Sequence, residues 1–252
     1  SEWQNQILED DDAEAGKEYW EQQDFSNASR LKLPFESKSW QQSQFTPNCH
    51  SMTLGSDLLR KIETLVQQYD TSASIVLLTC WQILLWRVTG LSDIVVGTIY
   101  DRREGEYEPL RNVLGLLATW LPIKVDFAPD LRFIEALKLV KKVTGDAEEW
   151  QDYFCSNYGT VPYGTVPVGF ESIEWSKKRS SSGVSFSLYK QYSCIEPFKV
   201  KLTCIFNNNS LNLDVHYDTH LFSADAIQRL SREFQILLTS AIDNPDTLIS
   251  HL

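Results

Sequence analysis

Histidine, cysteine and positive charge are scarce in this sequence, and each shortage removes a class of function. The four histidines, His50, His216, His220 and His251, are never adjacent. Five cysteines, Cys49, Cys80, Cys155, Cys194 and Cys204, are odd in number and widely spaced, with no CxxC and no Cys/His grouping at metal-ligand spacing. A disulfide framework and a sequence-local metal site are therefore not expected; reduced thiols in a cytoplasmic protein are. Glycine-rich phosphate cradles, the GxSxG elbow and HExxH are all missing, and Gly105 or Gly115 alone makes no nucleotide motif. Lys and Arg number 23 against 34 Asp and Glu, a net charge of −11. That balance argues against nucleic acid as a partner, because counterion displacement needs clustered cations. The apolar run Ile75–Val88 is too short to span a bilayer and contains Gln82 and Arg87; no charged-then-apolar leader is seen, so neither membrane nor export is expected.

What is present suffices for a globular fold: 252 residues, 42% hydrophobic and 12% aromatic. The opening SEWQNQILEDDDAEAGKEYWEQQ puts Trp3, Ile7, Ala15, Tyr19 and Trp20 at helical spacing, in two pieces separated by Asp10, Asp11 and Asp12. Three consecutive aspartates lack the alternating ligands and turn glycine of a loop metal site, so a solvated helix boundary is expected. Pro34 and the polar stretch Glu36–Asn48 read as a loop, and CHSMTL as a short strand. Ser56 looks like the cap of a helix through Gln68. A second helix, about Ser74–Val88, is apolar on nearly every side and belongs at a domain centre. Asp93–Tyr100 is β-branched and reads as a strand. Pro122 prevents a helix from running through RNVLGLLATWLPIKVDF, whose later residues alternate as a strand. The spacing next predicts a helix from Asp130 to about Val143, with Lys138, Lys141 and Lys142 near its C-terminal end. An aromatic loop follows, with YGTVP repeated from Tyr158 and Tyr163, too short a duplication for a repeat architecture. Strands are expected at Val168–Trp175, Val184–Tyr192, Phe198–Phe206 and Leu211–Tyr217. The final helix is capped by Ser223, runs to Ala241 and stops at Asn244 and Pro245. Interleaved helices and strands, then mainly strands, make an α+β fold.

No catalytic constellation stands out. His216, Asp218 and His220 in HYDTH form the most tempting cluster for acid/base work, and a strand end whose polar side chains satisfy local turns is the reading favoured over it. Glu148, Glu149 and Asp152 resemble paired carboxylates, but close neighbours of this kind belong to a solvated helix end.

The order of landmarks nevertheless resembles one family. The opening segment, with its Tyr19-Trp20 pair, is similar to a segment of the condensation domains of nonribosomal peptide synthetases. SASIVLLTCWQILLWRVTGLSDIVVGTIYDRR resembles that family's buried helix, turn, strand and arginine loop. VLGLLATWLPIKVDF looks like its GxFVNTLPLR motif, EEWQDYF like its HQDYPFE motif, and LNLDVHYDTHLFSADAIQRLSREFQILLTSAIDNPDTLI like its closing segment. The resemblance implies one lobe of a chloramphenicol-acetyltransferase-like pseudo-dimer, a mixed sheet flanked by helices, with residues 1–45 a helical lead-in and linker and 46–252 the C-terminal lobe. The family's HHxxxDG motif lies in the other lobe, and no HH pair occurs here. The implied role is to form a tunnel wall and a carrier-protein surface, without catalytic residues of its own and inactive alone. Implied partners are an N-terminal condensation lobe and peptidyl carrier domains; no cofactor or metal is bound directly, and phosphopantetheine arrives on the carrier.

Thr119, Trp120, Gln151 and Asp152 are the tunnel candidates. The sequence departs from the family pattern there: Thr119 and Trp120 replace Asn-Thr, and Trp150 stands where the second motif begins with His. Trp120 either narrows the tunnel or packs into the core. Two rival functions remain open. A naturally degenerate module would bind a carrier domain or tailoring partner without catalysis, and a complete acyltransferase would place His216 or His50 in a cleft beside a polarised partner. A bare apolar face favours a lobe separated from its other half; a closed polar face favours the degenerate module.

Overall fold

The computed structural model describes residues 12–37, 45–101, 113–115, 117–154, 166–174, 179–186, 197–207 and 210–252. The first helical piece around Trp3 and Ile7, the YGTVP duplication, Cys155 and Cys194 lie outside them. The chain is α+β, as its pattern predicts. Among the described residues, helices α1 (Ala13–Glu21), α2 (Ser56–Gln68), α3 (Ala73–Thr89), α4 (Phe133–Glu149) and α5 (Ala224–Asp243) accompany eight strands. These are β1 (Pro47–Leu54), β2 (Asp93–Asp101), β3 (Ala118–Asp126), β4 (Val168–Glu174), β5 (Arg179–Ser181), β6 (Val184–Phe186), β7 (Val200–Asn207) and β8 (Ser210–Asp218).

Six strands form one mixed sheet in the order β1-β8-β7-β4-β2-β3, and β5 with β6 makes a separate hairpin. The pairs β1/β8, β8/β7 and β2/β3 are antiparallel, whereas β7/β4 and β4/β2 are parallel. Period-two alternation divides the side chains between two faces. Ile94, Val96, Ile123, Val125, Val168, Phe170, Leu202, Leu213 and Val215 are buried on the face against the helices. At its centre lies α3, whose Val76 to Leu85 are all buried, which accounts for its lack of a polar side. The same apolar core takes in Trp20, Phe25, Leu31 and Leu33 from the beginning of the chain.

Local chemistry sets the ends of these elements. Ser72 Oγ accepts from the Ile75 N–H to start α3, and Gly90 at φ 68° closes it in the left-handed region. Ser223 caps α5 as expected, accepting from Ala226. Ser56 is not a cap: it is the first residue of α2, and the cap is Gly55, with no side-chain hydrogen bond. Helix α4 starts at Phe133 and outruns its expected end, Val143, to reach Glu149. Lys138, Lys141 and Lys142 therefore sit mid-helix, where Lys141 bonds across to Asp70. Pro122 lies within β3, directly opposite Gly97, and is tolerated because β3 is an edge strand with one ladder to maintain. The expected strand Val184–Tyr192 is described only as far as Phe186 in β6.

Among the described residues no single helix is long and apolar enough to cross a membrane; α2 and α3 together reach that length, but meet at a 104° bend. Cys49, Cys80 and Cys204 are thiols. The large apolar side chains most exposed among the described residues, Phe35, Leu114, Val184, Phe186 and Ile236, are spread over several segments.

Candidate functional site

The sheet face turned away from the helices is largely polar and is organised by register. One line of directly paired residues crosses all six strands: Pro122, Gly97, Gly169, Lys201, His216 and Cys49. Two glycines at its middle leave a shelf without side chains, and Trp120, two residues before Pro122, lies on it. A Cβ at Gly97 would come within 2.9 Å of Trp120 Cε3, and one at Gly169 within 2.7 Å of Trp120 Cη2. Both are closer than carbon atoms pack, so an indole over this shelf requires glycine at both positions. The Trp120 Nε1–H is buried and has no acceptor among the described residues. Such a donor is costly, on the order of 1–3 kcal/mol if left unmade.

Beyond the shelf, Lys201, 1% exposed, gives its Nζ to Glu171 Oε2 at 2.8 Å, and the Thr203 hydroxyl donates to the same oxygen at 3.3 Å. A buried ammonium is tolerable only with such a partner. A second buried pair ties the N-terminal segment to this face: Lys199 Nζ reaches Glu36 at 2.9 Å and the Leu31 carbonyl at 2.9 Å.

Thr119 and Trp120 are adjacent on β3 and so face opposite sides of the sheet. Thr119 is opposite Tyr100, and Trp120 is opposite Ile99. Gln151 and Asp152 lie in a single turn of 3-10 helix directly after α4. The Gln151 Oε1 is buried with no donor among the described residues. No described hydrogen bond or ring contact joins these two pairs. The chain leaves the second pair at Phe154 and is next described at Val166, whose side chain lies against the Gly97 shelf beside Trp120.

The aromatic residues around Gln151 pack against the start of the chain. Trp20 Nε1 donates to the Trp150 carbonyl at 2.7 Å, Tyr19 stacks on Trp150, and Trp20 meets Phe154 edge-on at 4.7 Å. Tyr153 covers Gly16, where a Cβ would clash with the ring. Two sequence landmarks 130 residues apart are thus one clamp. Burial, and secondarily the charge of Asp146, pushes the Tyr19 phenol up to about 12. Desolvation likewise raises Glu148.

The histidines separate by face. His216, 3% exposed, lies on the polar face between Lys201 and Cys49. His50 is paired with Val215 and belongs to the helix side. Asp218 and His220 serve the strand end: Asp218 Oδ1 accepts from the N–H groups of Thr46 and His220, and His220 Nδ1 lies 3.4 Å from it. Glu148 and Glu149 close α4, a helix end as their spacing suggests. Sequence reasoning missed the glycine shelf and the Glu171–Lys201–Thr203 network. Gly97 and Gly169, each a lone glycine inside a strand-like run, were the available signal.

The profile of the condensation-domain family matches the chain over residues 1–252. Gramicidin S synthase 2 of Aneurinibacillus migulanus is 24% identical over 255 residues, covering 97% of this chain and 6% of that protein. The condensation domain of the Monacolin K polyketide synthase MokA superposes with a TM-score of 0.78 at 18% identity, covering 98% of this chain and 61% of that one. The X-domain in its complex with OxyB, from teicoplanin biosynthesis, gives a TM-score of 0.74 at 17% identity, covering 99% and 58%. The chain spans a small fraction of the synthase and about three-fifths of the two solved chains.

Proposed function

Because the chain belongs to the condensation-domain family, we propose that it is the C-terminal lobe of such a domain, forming a wall of the substrate passage and part of a carrier-protein surface. The observation that carries this reading is one of coverage: the family matches from end to end, yet the chain accounts for 61% of the MokA condensation domain. The absence of any adjacent histidine pair accords with a lobe that does not hold the HHxxxDG motif. In this reading the N-terminal lobe supplies the catalytic histidine. Peptidyl carrier domains deliver donor and acceptor on phosphopantetheine arms, and amide formation depends on holding the two in line.

Trp120 gives the wall its character. Its ring occupies the shelf over Gly97 and Gly169 and narrows the passage, and its buried indole N–H has no acceptor among the described residues. Thr119, on the other side of β3, supports the strand from the helix face. Gln151 offers a second unsatisfied polar atom, next to Asp152.

A second reading is a degenerate module that binds a carrier domain or tailoring partner without making a bond. The buried polar face favours it: Lys201, Thr203 and His216 are each no more than 3% exposed, which is a closed surface and not a bare apolar one. An amide-forming assay with loaded donor and acceptor carriers separates the two. Product that appears only after a cognate N-terminal lobe is added is the expected result for a catalytic half. Product from this chain alone overturns the lobe reading, and no product in either case favours the binding module.

A further inference from the structure

At the β1 edge of the polar face, three side chains of different chemistry converge. Cys49 on β1 is directly opposite His216 on β8, and Asp214 is two residues before His216, so all three project from the same side of the sheet. The Cys49 sulfur, one His216 ring nitrogen and one Asp214 carboxylate oxygen all lie within 4.8 Å of one another. We propose that Cys49, Asp214 and His216 form a binding site for a divalent transition metal of the zinc class, with a fourth position open to water.

The Asp214 carboxylate provides the independent argument. The residue is 8% exposed, and its carboxylate makes no hydrogen bond or ion pair among the described residues. The groups positioned to neutralise it are already engaged: Thr203, its direct partner on β7, gives its hydroxyl to Glu171, and Lys201 spends its ammonium on the same carboxylate. A carboxylate partly shielded from water with no cationic partner favours a cation beside it, and an ion between it and His216 supplies one. The donor set of one sulfur, one nitrogen and one oxygen suits zinc, whose structural and catalytic sites draw on these ligand types. On binding, the Cys49 thiol releases its proton to solvent as the metal–sulfur bond forms. Ser51 Oγ, 3.7 Å from the Cys49 sulfur, is placed to orient it. The supporting strands are held by an eight-pair ladder from Pro47↔Asp218 to Leu54↔Leu211, so the ligands are fixed by the sheet and not by a loop. Cys49 is partly exposed at the sheet edge, which gives the ion its route in. Once bound, the ion would clasp the edge strand to β8. No local spacing reveals this site, because Cys49 and His216 are brought together only by strand pairing.

Cobalt(II) titration of the full chain tests the proposal, since a thiolate ligand produces an intense charge-transfer band that zinc then displaces. The expected result is about one equivalent bound, with the band lost in Cys49→Ser. In Asp214→Asn and His216→Gln the affinity should fall by more than the roughly 10–100-fold that outer-shell partners carry. His50→Ala, on the opposite face of β1, should leave the titration unchanged. Melting curves confirm that each variant is folded, and Asp214→Asn carries the test if His216→Gln is not. Absence of the band in the wild-type chain overturns the proposal. So does a band that persists in Cys49→Ser, or an affinity that Asp214→Asn leaves unchanged.

Discussion

Replacing Gly169 with alanine measures how tightly Trp120 is held on its shelf. The added methyl would sit 2.7 Å from Trp120 Cη2 and 3.0 Å from Lys201 Cγ. The lysine stem can give way, but the indole cannot retreat without leaving Gly97, where a Cβ would come within 2.9 Å of it. Gly169 has no positive φ to lose, so alanine by itself should stabilise the strand by about 0.5–1 kcal/mol. Overpacking a filled site costs about 1–3 kcal/mol, so the net effect should be a loss of roughly 1–2 kcal/mol. In a Trp120→Thr background the clash disappears and the same substitution should become neutral or mildly stabilising. The double-mutant cycle should therefore show a coupling of about 1–3 kcal/mol. Urea unfolding of the four proteins reads it directly. In a chain of this size each kcal/mol shifts Tm by about 2–4 °C, which a melting curve resolves. An equal cost of Gly169→Ala in both backgrounds would refute the shelf.

Lys199→Met leaves the Glu36 carboxylate, 3% exposed, without its ion pair; a loss of about 3–5 kcal/mol is expected, mostly recovered in the Lys199→Met/Glu36→Leu double variant, as read by denaturant midpoints. Gly90→Ala places a Cβ at φ 68° and should cost about 1–2 kcal/mol in the same measurement, with open space around it and strain as the sole cause. The Tyr19 phenol ionises at about 12 in the fold against 10.0 in its absence. The folded state thus holds this proton more tightly, and the associated stability is complete below pH 10 and lost as pH rises toward about 12. Ultraviolet titration should find one late phenolate, absent in Tyr19→Phe.

The elements that were legible in the sequence owe little to distant parts of the chain. Helix α3 announced itself by apolar residues on every side, and α5 by Ser223 in front of a regular stripe. Ser56 was misassigned because serine is common both at a cap and one position after it, and the backbone of Gly55 settled the matter. Sequence spacing ends α4 too early because Lys138, Lys141 and Lys142 look like the cations of a last turn, although Ala147 is buried and continues the packed face. For the site the limit was of another kind. Trp120 could be picked out by its bulk at a position expected to be small, but its support comes from Gly97 and Gly169, strands apart. The pairing of Tyr19-Trp20 with Trp150-Phe154, and the neighbours of Lys201, likewise follow from strand order and chain reversal, which no window of sequence contains.

The parallel contact between β2 and β4 comprises two residue pairs, Gly97↔Gly169 and Thr98↔Phe170, whereas β4/β7 has seven and β2/β3 nine. The sheet is therefore two well-laced ribbons sewn together by a single stitch, and half of that stitch is a pair of glycines. Mechanical load across the molecule concentrates at this seam, where the backbone has least to resist it. Amides of Gly97 and Gly169 should then report any parting of the ribbons before those of β7 or β8 do, and the ring lying over both strands is what bridges the gap.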